Sequence, residues 1–186
     1  MKKLSAIIIL ICAPMVSHAE GLLNNAVLGV AIIHQDAEIE VSGNGGSASS
    51  TENGTGIGIY LDKYEQQKYR YNGTFSFISY DNFDITDLVL SADYLLPVNH
   101  NVTFFGGAAF GGAIQKYSDA SLGDAALGAV YGVQVGGIAY MSENFILEAG
   151  YRFRPTKLET EVDAPSGTLV TVSDLSSTYL SLQLKF

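Results

Sequence analysis

The chain of 186 residues has no tryptophan, one cysteine and four prolines. The single cysteine, Cys12, sits in an apolar run at the N-terminus, so no disulfide framework can hold the rest together. Basic residues are also scarce: 10 Lys and Arg against 19 Asp and Glu, a net charge of −9. Nucleic acid selects basic surfaces, so it is excluded as a partner class. Beyond residue 19 no apolar run approaches the roughly 20 residues of a membrane-spanning helix. An exported chain without disulfides or spanning helices needs another source of order, and a closed hydrogen-bond ladder supplies one.

What is present begins with an address. Lys2 and Lys3 precede the apolar run Leu4 to Cys12, and Ser17-His18-Ala19 places small residues where a signal peptidase reads. We place cleavage after Ala19, giving a leader at 1–19 and a single domain at 20–186. Ile11 precedes Cys12 where a lipid-attachment signal takes a small residue, which disfavours a lipoprotein anchor. Removing the 19-residue leader leaves 167 residues, and losing Lys2 and Lys3 takes the charge from −9 to −11.

The terminal stretch LSSTYLSLQLKF sets the pattern. Leu180, Leu182, Leu184 and Phe186 share one face, and Tyr179, Ser181, Gln183 and Lys185 share the other. Period two means a strand with one apolar side. Seven further strands are predicted at about 26–41, 54–62, 69–80, 83–96, 101–117, 125–140 and 145–158. Apolar residues form one face of each: Ile57, Ile59 and Leu61; Tyr71, Phe75 and Phe77; Leu88, Leu90 and Tyr94; Phe104, Ala108 and Phe110; Tyr131, Val133 and Val135; Leu147, Tyr151 and Phe153. In the first strand Val27, Ala31, Ile33, Ala37, Ile39 and Val41 are assigned to the apolar face, and His34, Asp36, Glu38 and Glu40 to the lumen face.

The fold class is therefore all-β: an eight-stranded antiparallel up-and-down transmembrane β-barrel, apolar toward lipid and polar toward its lumen. A soluble lipocalin-type barrel would invert those faces. The export signal, the terminal aromatic and the charges on the polar face of the seventh strand favour the membrane form. Residues 42–53 and 159–170 read as polar extracellular loops, and 62–68, 97–100 and 141–144 as periplasmic turns. Ser118 to Asp124 reads as a short loop. Tyr69, Tyr71, Tyr94, Phe104, Phe145 and Phe186 gather near the periplasmic ends, as interfacial rings do.

Arg70, Asp93, Glu148, Arg152, Arg154 and Lys185 all fall on the inward parity. Both signs are present, so pairing offsets burial and the lumen is plugged. If Asp81-Asn82 forms the tip of a tight hairpin, facing residues sum to 163 and Arg70 lies opposite Asp93. Asp36, Glu38 and Glu40 form an acidic rim toward the extracellular end. Alternate carboxylates there suit Ca²⁺ or bridged lipopolysaccharide phosphates, but a solvated lumen rim is the simpler reading. No zinc spacing occurs. No cofactor or catalytic set is assigned.

YGVQVGGIAYMSENFILEAGYRF at 131–153, followed by the terminal LSLQLKF, resembles the small outer-membrane barrels of the opacity-protein and OmpA-transmembrane type. The resemblance implies a Gram-negative outer membrane, lipid and lipopolysaccharide as surroundings, and insertion by the barrel-assembly machinery. It also implies a surface role such as adhesion or envelope integrity. Tyr179, Leu184 and Phe186 stand in the terminal assembly signal. Ser181 replaces its glycine and Leu184 its first aromatic, while Phe186 matches. The extracellular partner is not readable from the sequence. A narrow pore or small-molecule transporter is one alternative. A lipid A-modifying enzyme is another, but the His-x-Ser pair of lipid A deacylases is missing at both His34 and His100.

Overall fold

Alternation of apolar and polar side chains, with no proline inside most segments, lets each segment extend and pair with the next. The computed structural model describes residues 26–43, 46–66, 68–117, 125–162 and 168–185. The expected leader, the 118–124 loop and Phe186 lie outside them. Eight strands follow in order: β1 Ala26–Gly43, β2 Gly46–Glu65, β3 Tyr69–Ser79, β4 Phe83–Pro97, β5 Val102–Tyr117, β6 Ala126–Tyr140, β7 Phe145–Val162 and β8 Thr168–Lys185. Each pairs antiparallel with its neighbour, and β1 pairs with β8, closing the barrel.

The register of β3 on β4 follows from the turn. Arg70 faces Asp93, Phe75 faces Leu88 and Ser79 faces Asp84. Tyr80 N–H donates to the Phe83 carbonyl at 2.9 Å, and the two rings stack with centroids 4.4 Å apart. Asp81 and Asn82 are the tip.

The outside is the apolar side. Leu28, Val30 and Ile32 on β1, Ile57 and Ile59 on β2, Leu88 and Leu90 on β4, Phe110 on β5, Val133 and Val135 on β6 and Leu180 and Leu182 on β8 are all exposed. A continuous apolar belt of this extent is incompatible with water and suited to lipid. No helix among the described residues is long and apolar enough to cross a membrane. Tyr69 and Tyr94 meet edge to face at 5.7 Å on the outer surface near the β3–β4 lower ends.

Two expectations are overturned. First, β1 has the opposite facing. Val27, Ala31, Ile33, Ala37 and Ile39 are buried inside, whereas His34, Glu38 and Glu40 are exposed outside. The upper lumen is filled with hydrocarbon, so both faces of β1 are apolar over part of its length and apolarity does not separate them. The acidic rim of Asp36, Glu38 and Glu40 is thus on the outer wall above the lipid belt.

Second, 42–53 and 159–170 are largely strand. β1 and β2 stay paired to Gly43↔Gly46, β1 and β8 to Ser42↔Leu169, and β7 and β8 to Val162↔Thr168. The β2–β3 ladder stops at Thr55↔Ser79, and β6–β7 pairing ends at Val130↔Thr156. A four-stranded sheet, β7-β8-β1-β2, therefore stands above the rest of the barrel. The β2 part, Gly46 to Asn53, is small and mostly polar, so its composition resembled a loop, while continuation of an existing ladder holds it extended. Asp62, expected in a turn, belongs to β2 and is fully buried.

Candidate functional site

An eight-stranded barrel has room inside for side chains and little else. Inward parity on β2, β3, β4, β6, β7 and β8 delivers Asp62, Arg70, Asp93, Gln134, Glu148, Arg152, Arg154 and Gln183 to this space, each at most 3% exposed. Burial of that many charges is costly unless they pair and their remaining valences are filled.

Arg70 organises the lower layer. Its Nε donates to Asp93 Oδ2 at 2.8 Å, and Nη2 lies 2.7 Å from the same oxygen. Nη1 donates across the barrel to Glu148 Oε2 and sits 4.0 Å from Asp62 Oδ2. The guanidinium also covers the Phe105 ring, 4.3 Å from its centroid. One arginine thus meets carboxylates from three strands, a role suited to its planar fork. The acids are held in turn. Glu148 accepts from Tyr179 Oη–H at 2.7 Å and from Gln183 Nε2 at 3.1 Å. Asp93 Oδ1 accepts from Gln134 Nε2 at 2.7 Å, and Asp62 Oδ1 from Asn72 Nδ2 at 2.5 Å.

Arg152 forms the middle layer. Its Nε donates to Gln134 Oε1 at 2.9 Å, and its guanidinium lies over the neighbouring rings of Tyr179 and Tyr60, 4.3 and 4.9 Å from their centroids. Above it Arg154 Nη1 meets Asp87 Oδ2 at 2.7 Å, and Asp87 Oδ1 accepts from Ser76. Higher still the filling is apolar: Ile78, Phe83, Ile85, Val130, Leu158, Val172 and Leu175 are all buried. Tyr80 Oη–H donates to Gln35 Oε1 at 2.8 Å within this stopper. At the opposite end a cavity of about 570 Å³ opens below Arg70, lined by Tyr64, Leu95, His100, Thr103, Tyr140 and Lys185 among others.

Of the residues expected in the lumen, Arg70, Asp93, Glu148, Arg152 and Arg154 are brought together there. Lys185 is not: it keeps inward parity but lies exposed at the mouth of the cavity, where the strand ends and water is available. Asp62, Asp87, Gln134, Tyr60 and Tyr179 complete the network. Parity marks Asp87, Gln134 and Tyr179 as inward, yet only barrel closure reveals which charges they meet. Tyr179 is thereby a lumen residue, and Leu184 faces outward.

The described histidines, His34 and His100, do not form a catalytic set. His34 is on the outer wall, correcting its expected lumen placement, with Nε2 3.7 Å from Asp36 Oδ1, too far for a hydrogen bond. His100 lines the lower cavity. Among the described residues no group of three His, Cys, Asp or Glu side chains could hold a metal ion. On the outer wall Glu38 directly faces Asp174 across β1–β8, and that carboxylate pushes the Glu38 carboxyl above its usual range.

The architecture is that of small eight-stranded outer-membrane barrels. Neisserial surface protein A (NspA) superimposes with a TM-score of 0.56 at 18% identity, covering 84% of this chain and 97% of that one. OprG from Pseudomonas aeruginosa gives 0.57 at 13% identity, covering 88% and 96%. OprH from P. aeruginosa gives 0.54 at 23% identity, covering 87% and 99%. These likenesses are of fold. No protein-family model and no curated protein matches the sequence.

Proposed function

We propose that this protein is an outer-membrane barrel that acts through its external sheet and neither conducts nor catalyses. The observation that carries this reading is the lumen: above the lower cavity, layered arginine–carboxylate pairs and then a hydrocarbon stopper occupy the barrel. With the interior occupied and the belt committed to lipid, the part left to meet other molecules is the β7-β8-β1-β2 sheet. That sheet carries the acidic rim Asp36, Glu38 and Glu40, and NspA is by its name a surface protein. Export through a leader ending at Ala19, insertion by the barrel-assembly machinery and contact with lipopolysaccharide belong to the same proposal.

Planar-bilayer recording on the refolded barrel tests it. The expected trace has no stable conductance steps. Discrete, reproducible steps that persist in Phe83→Trp, a variant with a bulkier stopper, would overturn the sealed-lumen reading in favour of a pore.

A further inference from the structure

The protruding sheet has two edges, and they are built differently. The β7 edge follows Pro155 and a register irregularity between Pro155 and Leu158, and it bears the ion pair Lys157–Glu159 at 2.7 Å. Proline, bulges and charge are the usual means of blunting an edge against further pairing. The β2 edge has neither proline nor a register irregularity, and its one charge between Gly46 and Gly54 is Glu52, turned inward with its partner Ala37. Among the described residues Gly46 to Gly54 pairs only with β1, β3 having ended. Nine residues give about 30 Å of strand, half of whose backbone groups point away from β1. The side chains of Ser47, Ala48, Ser49, Ser50 and Thr51 are small and exposed. Among the described residues Asn82 reaches this stretch, donating from Nδ2 to Glu52 Oε1 at 3.2 Å, and Ile78 and Tyr80 lie against its end at Gly54.

The charge beside this edge is of one sign. Asp36, Glu38 and Glu40 on β1 face Asn53, Thr51 and Ser49 on β2, and Asp174 faces Glu38 from β8. Asp36 Oδ1 on this outer face has no hydrogen-bond partner, and Glu52, which shares the inward face with Ala37, leaves Oε2 unpaired on the other side of the sheet. The crowding of Glu38 by Asp174 shows the same unrelieved negative charge. A strand added beside β2 would lie two strand spacings, about 10 Å, from the β1 acids. A lysine or arginine and a carboxylate side chain close that gap over Ser49 and Thr51, which are too short to stand between them.

We propose that the free edge of β2 at Gly46–Asn53 is a strand-addition site for an extended segment of a second protein carrying basic residues at alternating positions. The added strand takes its affinity from main-chain hydrogen bonds and its selectivity from the acidic row. This rests on the external-sheet reading above and names its partner chemistry.

The test uses the full barrel refolded in detergent micelles and short synthetic peptides, read by hydrogen–deuterium exchange and by titration. A peptide alternating lysine and threonine is expected to slow amide exchange across Gly46–Asn53 while leaving β3 to β6 unchanged. The same peptide N-methylated at alternate backbone nitrogens keeps its charge and should bind about tenfold more weakly or worse, because main-chain bonds are lost. Glu38→Gln combined with Glu40→Gln should weaken the unmethylated peptide by a similar factor. Equal binding of the methylated peptide would reduce the contact to charge alone and overturn strand addition. So would unchanged exchange in the bound state, or a dimer in the absence of peptide with these same amides protected, which would give the edge to a second copy. Failure of the sealed-barrel reading is separately visible as conductance.

Discussion

Replacing Arg70 by leucine removes the one cation that three buried carboxylates share. Arg70 is 1% exposed, and its partners Asp93, Glu148 and Asp62 are no more exposed than 2%. Without it the two direct partners lose their charge-assisted bonds and the third its nearest cation. Breaking a buried pair by deleting one member costs about 3–5 kcal/mol. Against a total stability of roughly 5–15 kcal/mol, that is a third or more of the margin. Arg70→Lys should be intermediate, since an ammonium keeps the charge but loses the fork and the face over Phe105. Adding Glu148→Gln to Arg70→Leu should recover part of the loss, with a coupling of about 0.5–3 kcal/mol, because a neutral amide no longer needs the guanidinium. With no tryptophan in the chain, urea unfolding from lipid vesicles is best followed by heat-modifiable gel migration or tyrosine fluorescence. A cost for Arg70→Leu below about 1 kcal/mol, or strict additivity in the double variant, would mean that water reaches these acids and that the layered pairing does not hold the lumen shut.

Leu182→Arg places a charge on the outward face of β8, where the leucine is 50% exposed, and should cost about 2–4 kcal/mol near the bilayer midplane; equal folding yield and urea midpoint would contradict lipid contact there. Gly107→Ala should cost about 1–3 kcal/mol, since a Cβ at that point collides with the Ala92 carbonyl oxygen and the Asp93 carboxylate, and rigid backbone cannot yield; an unchanged unfolding midpoint would refute the close approach of β5 to β4. Glu38, raised by facing Asp174, binds its proton more tightly folded than unfolded, so stability falls as pH rises from its ordinary value of 4.5 through the folded value. Asp174→Asn should flatten that part of the pH profile, and a profile identical to that of the parent would exclude the pair as its cause.

Much of the barrel is legible because lipid imposes a strict period. On β3 to β8 enough inward positions are polar, Arg70, Asp93, Gln115, Gln134, Glu148 and Gln183 among them, that the outward facing of the apolar residues follows from reading one residue in two. The β3–β4 register is equally local: two turn residues, Asp81 and Asn82, set every pair down to Arg70 and Asp93. β1 shows where this reasoning stops. Period two identifies two faces but does not say which is outside, and that choice needs one face to be polar. Val30 and Ile32 lie outward against lipid while Ala31 and Ile33 lie inward against the stopper, so composition is silent just where the strand's acids begin.

Strand class, alternation, the hairpin register and the pool of inward charges are local properties of the chain, because each depends on neighbours a few residues apart. The tertiary structure alone decided which charges meet. Arg70 and Glu148 are 78 positions apart and touch only because the sheet closes and its stagger brings β7 across from β3. Closure likewise decided that Gly46–Asn53 is strand and not loop, since those small polar residues have no strand preference of their own and are held by β1. Where β3 ends and β2 continues, the free edge arises from a difference in length between neighbouring strands, a quantity that exists only once they are paired.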